Sequence, residues 1–108
     1  MDELERKERY TELLDLYGSL LGEEQLRRAK EYYFGDYSLT EIAERENKSR
    51  NAIHLSIKAA ERKLDELESK LKLLHKKRAI EQALERIEES GENSEECDRI
   101  RRILTDGI

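Results

Sequence analysis

An all-α protein, a helix-turn-helix followed by a long helical arm, is what three features of this 108-residue chain predict. Apolar residues recur at spacings of three and four over most of its length, the mark of helices buried along one side. No run alternates apolar and polar residues as a half-buried strand would, and there is no internal repeat or low-complexity linker. Charged residues make up 44% of the chain and hydrophobic residues 36%, with no proline, against about 25% charged and roughly 45–50% apolar (glycine included) in ordinary soluble domains. Long helices that bury a narrow stripe and solvate the rest suit that balance, whereas a large globular core does not.

The elements follow in order. Leu13, Leu14, Leu16, Tyr17, Leu20 and Leu21 predict a first helix near 3–20, interrupted by Gly22. A second, near 23–34, opens with Glu23 and Glu24, acids that favour a helix N-terminus. Leu26, Ala29 and Tyr33 form its buried stripe, with Phe34 open between stripe and surface. After Gly35-Asp36, Ser38 with Glu41 three residues on has the spacing of a capping box, so a short helix runs over 38–46 with Leu39, Ile42 and Ala43 inward. Asn47-Lys48 reads as a tight turn, because Asn tolerates a left-handed backbone best after Gly. Ser49 then caps a helix running to 75 or beyond. Along it Ile53, Ile57, Ala60, Leu64, Leu67, Leu71 and Leu74 alternate steps of four and three, a seam that calls for a helical partner: the first helix, a later helix or a second copy. The apolar positions restart out of step at Ile80, Ala83, Leu84 and Ile87, so the helix turns its face or breaks near Lys76. A loop at Ser90–Ser94 and a short tail capped by Ser94, with Ile100, Ile103 and Leu104 on one face, complete the chain. The division expected is a helix-turn-helix domain at 1–75 and a helical extension at 76–108.

Two short-range helices joined by a tight turn, the second opening Ser-Arg-Asn, make the helix-turn-helix. The first would brace the second through Ile42 and Ala43 packing on Ala52, Ile53 and Ile57, presenting Ser49, Arg50, Asn51, His54, Leu55 and Lys58 outward. Arg50 and Asn51 can make bidentate contacts with guanine and adenine, and Ser49 or Lys58 can hold phosphates. The expected nucleic-acid-binding residues are Lys48, Ser49, Arg50, Asn51, His54, Lys58 and Arg62. Each has a plainer alternative: Arg50 as a solvated helix start, His54 as a half-exposed helix residue, the tyrosines as core packing with phenols at the rim rather than base-stacking platforms.

Charge is segregated. Residues 1–46 hold 7 Lys/Arg against 13 Asp/Glu, residues 47–78 hold 10 against 4, and residues 79–108 hold 4 against 9. A basic middle within a chain of net charge −5 can steer a polyanion while the acidic flanks limit indiscriminate binding. The single Cys97 forms no internal disulfide, no run is apolar enough for a signal peptide or membrane helix, and the expected setting is the cytoplasm, with no membrane partner. His75 has no partner at metal-ligand spacing, and neither a phosphate loop nor a nucleophile beside a base is present, so no metal, no cofactor and no enzyme activity are expected.

The stretch EYYFGDYSLTEIAERENKSRNAIHLSIKAAERKLDELESKL, extended back through LLDLYGSLLGEEQLRRAKEYY, resembles the YlxM family over roughly residues 10–75. The specific pieces are Tyr32-Tyr33, Asp36-Tyr37-Ser38-Leu39 with Glu41-Ile42-Ala43-Glu44, and Ser49-Arg50 followed by Ala52-Ile53-His54 and Ile57-Lys58. That family comprises small bacterial helix-turn-helix proteins similar to region 4 of sigma factors, without a wing, encoded beside the genes of the signal recognition particle. The resemblance implies an accessory or regulatory role in the signal recognition particle pathway. Its partners would be nucleic acid (DNA or the particle's RNA), a particle protein, or both. The chain departs from the pattern at Asn47-Lys48, where a small and then an apolar residue are usual, and at Leu55 and Ala59, outer positions that are usually polar and could serve protein docking. A transcription regulator and a coiled-coil interaction module are the competing readings, and the heptad seam or the terminal helices predict a homodimer.

Overall fold

The computed structural model describes residues 1–91 and 93–105. Its elements are α1 (Glu3–Tyr17), a 3-10 turn (Gly18–Leu20), α2 (Glu23–Tyr33), α3 (Leu39–Glu46), α4 (Arg50–Leu71), α5 (Leu73–Glu89) and α6 (Ser94–Thr105). The all-α expectation holds, and the described residues contain no strand. Asp2 caps α1 by accepting from the Glu5 amide at 2.8 Å, and the helix tightens at Gly18 into the 3-10 turn. The loop after α2 turns at Asp36, whose φ is +58°. A side chain at the preceding Gly35 would place its Cβ 2.9 Å from the Glu31 carbonyl oxygen, so glycine is required there by space.

One core joins α1 to α4. Leu13, Leu14 and Tyr17 of α1, Ala29 and Tyr33 of α2, and Ile42 and Ala43 of α3 converge on Ile53, Ile57, Ala60 and Leu64 of α4. The seam along α4 is thus covered by helices of the same chain through Leu64, and a homodimer through that stretch would have to open the core. Past it the cover thins: Leu67 is half-buried and Leu71 exposed. One expectation about burial is corrected and one open position is decided. Ala52 is exposed rather than packed under α3, because it lies roughly 100° round the helix from Ile53, and Phe34 is exposed beyond the end of the α2 stripe.

The break after α4 falls at Lys72, not near Lys76. Lys72 adopts φ +55°, ψ +33° and separates α4 from α5 without an intervening loop. A polar clasp holds the bend: the Tyr17 hydroxyl accepts from the Leu73 amide at 3.0 Å and donates to Glu68 Oε1 at 2.7 Å. Glu68 in turn accepts from the Leu74 and His75 amides at 3.0 and 3.2 Å. A carboxylate from the preceding helix therefore satisfies the free amides of the α5 start. Leu74 reaches the main core, whereas Leu84 of α5 and Cys97 of α6 bury each other's neighbourhood apart from it. The expected loop at Ser90–Ser94 includes Glu92, which lies outside the described residues, and Ser94 is the first residue of α6 rather than its cap.

Candidate nucleic-acid interface

The turn between α3 and α4 is fixed by backbone. Asn47 takes φ +55°, ψ +46°. The Lys48 amide donates to the Ala43 carbonyl at 2.9 Å, and the Asn47 amide to Glu44 at 3.3 Å, the paired bonds of a Schellman motif. The unusual Asn47-Lys48 pair anchors the turn through these bonds and needs no apolar side chain. At the other end of α3 the capping box is complete, with Glu41 N to Ser38 Oγ at 3.0 Å and Ser38 N to Glu41 Oε1 at 3.1 Å. Ser49 Oγ accepts from the Ala52 amide at 3.0 Å and so starts α4.

Two sets of ion pairs set α4 against its supports. On one side Arg28 of α2 holds Glu46 of α3 at 2.7 Å and Ser56 of α4 at 3.1 Å, with Glu24 as a further partner. The hydrogen bonds from Arg28 keep the Glu46 carboxyl below its usual range, more than burial raises it. On the other side the acids Glu61, Asp65 and Glu68, one turn apart along α4, meet α1. Arg6 binds Glu61 at 2.5 Å, Tyr10 donates to Asp65 at 2.7 Å, and Tyr17 takes Glu68 as described. The pairs climb both helices together, so α1 and α4 run in the same direction. Tyr33 also donates to Glu61, which is only 4% exposed. Burial, then the hydrogen bonds to these acids, pushes the Tyr10 and Tyr17 hydroxyls each up to about 12 and Tyr33 further, so all three remain donors.

These ties leave a distinctive outer face. All five arginines of α1 to α3 sit in ion pairs. Arg50 and Arg62 on α4 are exposed and have neither an ion-pair nor a hydrogen-bond partner among the described residues, and the same is true of Asn51. Lys48 is exposed at the turn, where its charge helps lower Glu46. His54 is half-buried on the same two opening turns of the helix. Lys58 differs from the expectation of a free phosphate ligand, since its ammonium lies 3.4 Å from Glu61 Oε1. Asn51, Leu55 and Arg62 thus share one accessible side of α4, while Arg50, in line with Ile53 and Ile57 round the helix, is exposed with Lys48 and Ser49 at its start. Arg28, which joins α2, α3 and α4, went unnoticed in the sequence; the Glu24–Arg28 spacing of four was the available signal. The described residues contain no group of His, Cys, Asp and Glu able to hold a metal, and no helix long and apolar enough to cross a membrane.

A family model described as "Putative helix-turn-helix protein, YlxM / p13 like" (UPF0122) matches residues 4–103. A UPF0122 protein of Malacoplasma penetrans (strain HF-2) is 48% identical over 64 residues, 59% of this chain and 60% of its own length. UPF0122 protein YlxM of Bacillus subtilis (strain 168) is 36% identical over 101 residues, 94% of this chain and 92% of that one. A UPF0122 protein of Clostridium kluyveri (strain NBRC 12016) is 36% identical over 111 residues, covering 97% and 100%. No solved structure matches. This chain, with its α3–turn–α4 unit, belongs to the UPF0122 family of YlxM/p13-like helix-turn-helix proteins.

Proposed function

We propose that this protein is a non-catalytic regulatory factor of the cytoplasm that binds duplex DNA, laying the opening turns of α4 in the major groove with α3 as brace. The observation that carries the reading is the contrast in arginine pairing: the arginines of the support helices are neutralised by acids, while Arg50 at the start of α4 and Arg62 on its outer face are exposed and unpaired among the described residues. Unpaired guanidinium groups on a braced helix are suited to guanine edges and phosphates. Arg50 and Arg62 lie about 18 Å apart along the axis at 1.5 Å per residue, far enough for Arg50 to work in the groove while Arg62 meets a backbone phosphate.

A titration of a labelled random duplex pool with wild-type protein and Arg50→Glu tests this. Wild type should bind with a steep salt dependence, and the variant should bind about tenfold or more weakly, with a shallower salt slope. Equal binding by both, or none by wild type, overturns the reading.

A second reading, an accessory role in the signal recognition particle pathway, has one specific support beyond the family resemblance. Basic residues continue past the reach of one groove, through Lys63 and Lys70 on α4 to Lys76, Lys77 and Arg78 on α5, as a longer structured RNA would use. Titration against the reconstituted particle, its RNA alone and its GTPase subunit alone separates the two, since saturable binding to any of these well above the duplex pool would favour the particle. A homodimer, in either reading, would rest on the exposed Ile87, Ile100 and Ile103 of the last two helices, and a single monomeric species in sedimentation at tens of micromolar would exclude it.

A further inference from the structure

Leu55 is 58% exposed at the centre of the face just described. It stands two residues from Ile53 and two from Ile57, hence roughly 160° round the helix from each member of the buried stripe, and gains nothing from the core. Nor is it a scattered surface leucine. Ala52, exposed, lies one turn before it and Ala59, half-buried, one turn after, so an apolar strip with small residues at both ends runs along a face bordered by the exposed Asn51 and Arg62 on one side and Lys63 on the other. Small residues let a helix backbone approach a surface closely, and the flanking cations match a polyanion rather than an apolar protein groove.

We propose that Leu55 is a specificity-determining residue that contacts the 5-methyl group of thymine, with Asn51 reading an adenine nearby. This deepens the duplex-DNA reading and rests on it. In the major groove thymine is the base that offers an apolar group, and adenine is the base matched by the carboxamide of asparagine. Asn51 and Leu55 are four residues apart on the same side of α4, about 6 Å along its axis, which corresponds to roughly two base-pair steps of 3.4 Å. The binding site therefore contains an A·T pair at each of two positions one or two steps apart, with the methyl group of at least one thymine in contact with Leu55.

The first arm of the test changes only the DNA. Wild-type protein selects its preferred duplexes from the random pool, and each thymine of the winning duplex is then replaced by deoxyuridine, which removes only the methyl group. Replacement at one or two positions should weaken binding about threefold to fivefold each, the factor for one buried methyl. In Leu55→Gln, a change at an exposed position whose fold is checked by circular dichroism, the deoxyuridine penalty should vanish while the salt slope stays as in wild type. Selected sites without A·T pairs, indifference of wild type to deoxyuridine at every position, or an undiminished penalty in Leu55→Gln would each overturn the inference, the last leaving the strip as a protein-docking patch. Failure of wild type to bind the pool at all would overturn the DNA reading itself, and the thymine assignment with it.

Discussion

From Glu3 to Leu71 the chain holds four helices on one apolar core and adds polar ties between them, whereas from Leu73 to Thr105 it folds back two helices around little more than Leu74, Leu84 and Cys97. In the first region Glu61, Asp65 and Glu68 of α4 each face a partner of opposite or hydrogen-bonding character on α1 or α2. In the second, among the described residues, the Arg101–Glu88 ion pair joins α5 to α6, and Ile80, Ile87, Ile100 and Ile103 remain exposed. An apolar groove of about 370 Å³, lined by Leu16, Ile80 and Leu104 among others, is left between the two regions. The difference separates a densely tied platform that sets α4 from an appendage with few buried side chains.

The largest effect expected is on the platform. Leu64→Ala removes a fully buried side chain from the shared core and should cost about 3–5 kcal/mol in global unfolding by urea. Leu84→Ala makes the same chemical change in the appendage. Its consequence should be local, with amide exchange accelerated across α5 and α6 while α1 to α4 keep their protection. Loss of protection everywhere in Leu84→Ala would abolish the distinction.

Arg6→Ala should come next. It leaves the Glu61 carboxylate buried with Lys58 and Tyr33 as remaining partners, so the cost falls below the roughly 3–5 kcal/mol of a fully broken buried pair, at about 2 kcal/mol. Glu61→Gln with Arg6→Ala should recover part of that loss, because the stranded charge is then gone. A double variant weaker than the sum of the singles would refute this account of the α1–α4 tie.

How much of this was legible follows the same division. Periodicity located α1 to α4, and the Ser38–Glu41 and Ser49 spacings located both caps of the helix-turn-helix, because those signals are local. The Lys72 break was not legible: lysine is no breaker, and the seam residues Leu67, Leu71 and Leu74 stay in step across it. It forms because Tyr17, 55 residues away in sequence, and Glu68 satisfy the amides of α5. Likewise Glu61 reads as one more surface acid until α1 and α2 close over it. At the interface, exposure of Asn51 was readable from the helical wheel, whereas Arg50 falls in line with Ile53 and Ile57 and is exposed because it opens the helix. The engagement of Lys58 with Glu61 had its signal in their spacing of three, but the burial of Glu61 that α1 and α2 bring about did not.

A smaller, pH-dependent effect tests the Arg28 junction. Glu46 has its carboxyl held below the ordinary value of 4.5 by hydrogen bonds from Arg28. The unfolded chain therefore takes up this proton first as pH falls. The stabilisation is complete well above pH 4.5 and disappears as the pH drops below it toward the folded value. Wild type should exceed Glu46→Gln by about 1 kcal/mol near pH 7, and the gap should close on acidification. A gap that persists at pH 3 would mean that Glu46 acts through shape rather than charge.

The smallest effect concerns the two left-handed residues that punctuate α4. Asn47 opens it at φ +55° and Lys72 closes it at φ +55°, so the backbone requirement is the same while the residues differ. Asparagine adopts this conformation at lower cost than lysine. Glycine removes the cost at either position but loses more entropy on folding, so Lys72→Gly should gain about 0.5–1 kcal/mol and Asn47→Gly about zero or slightly less. The gain should show in α5 exchange rates more than in global unfolding, because the bend at Lys72 is what docks the appendage. Equal responses at the two sites would imply that the Tyr17–Glu68 clasp, rather than the backbone of Lys72, sets the stability of the bend.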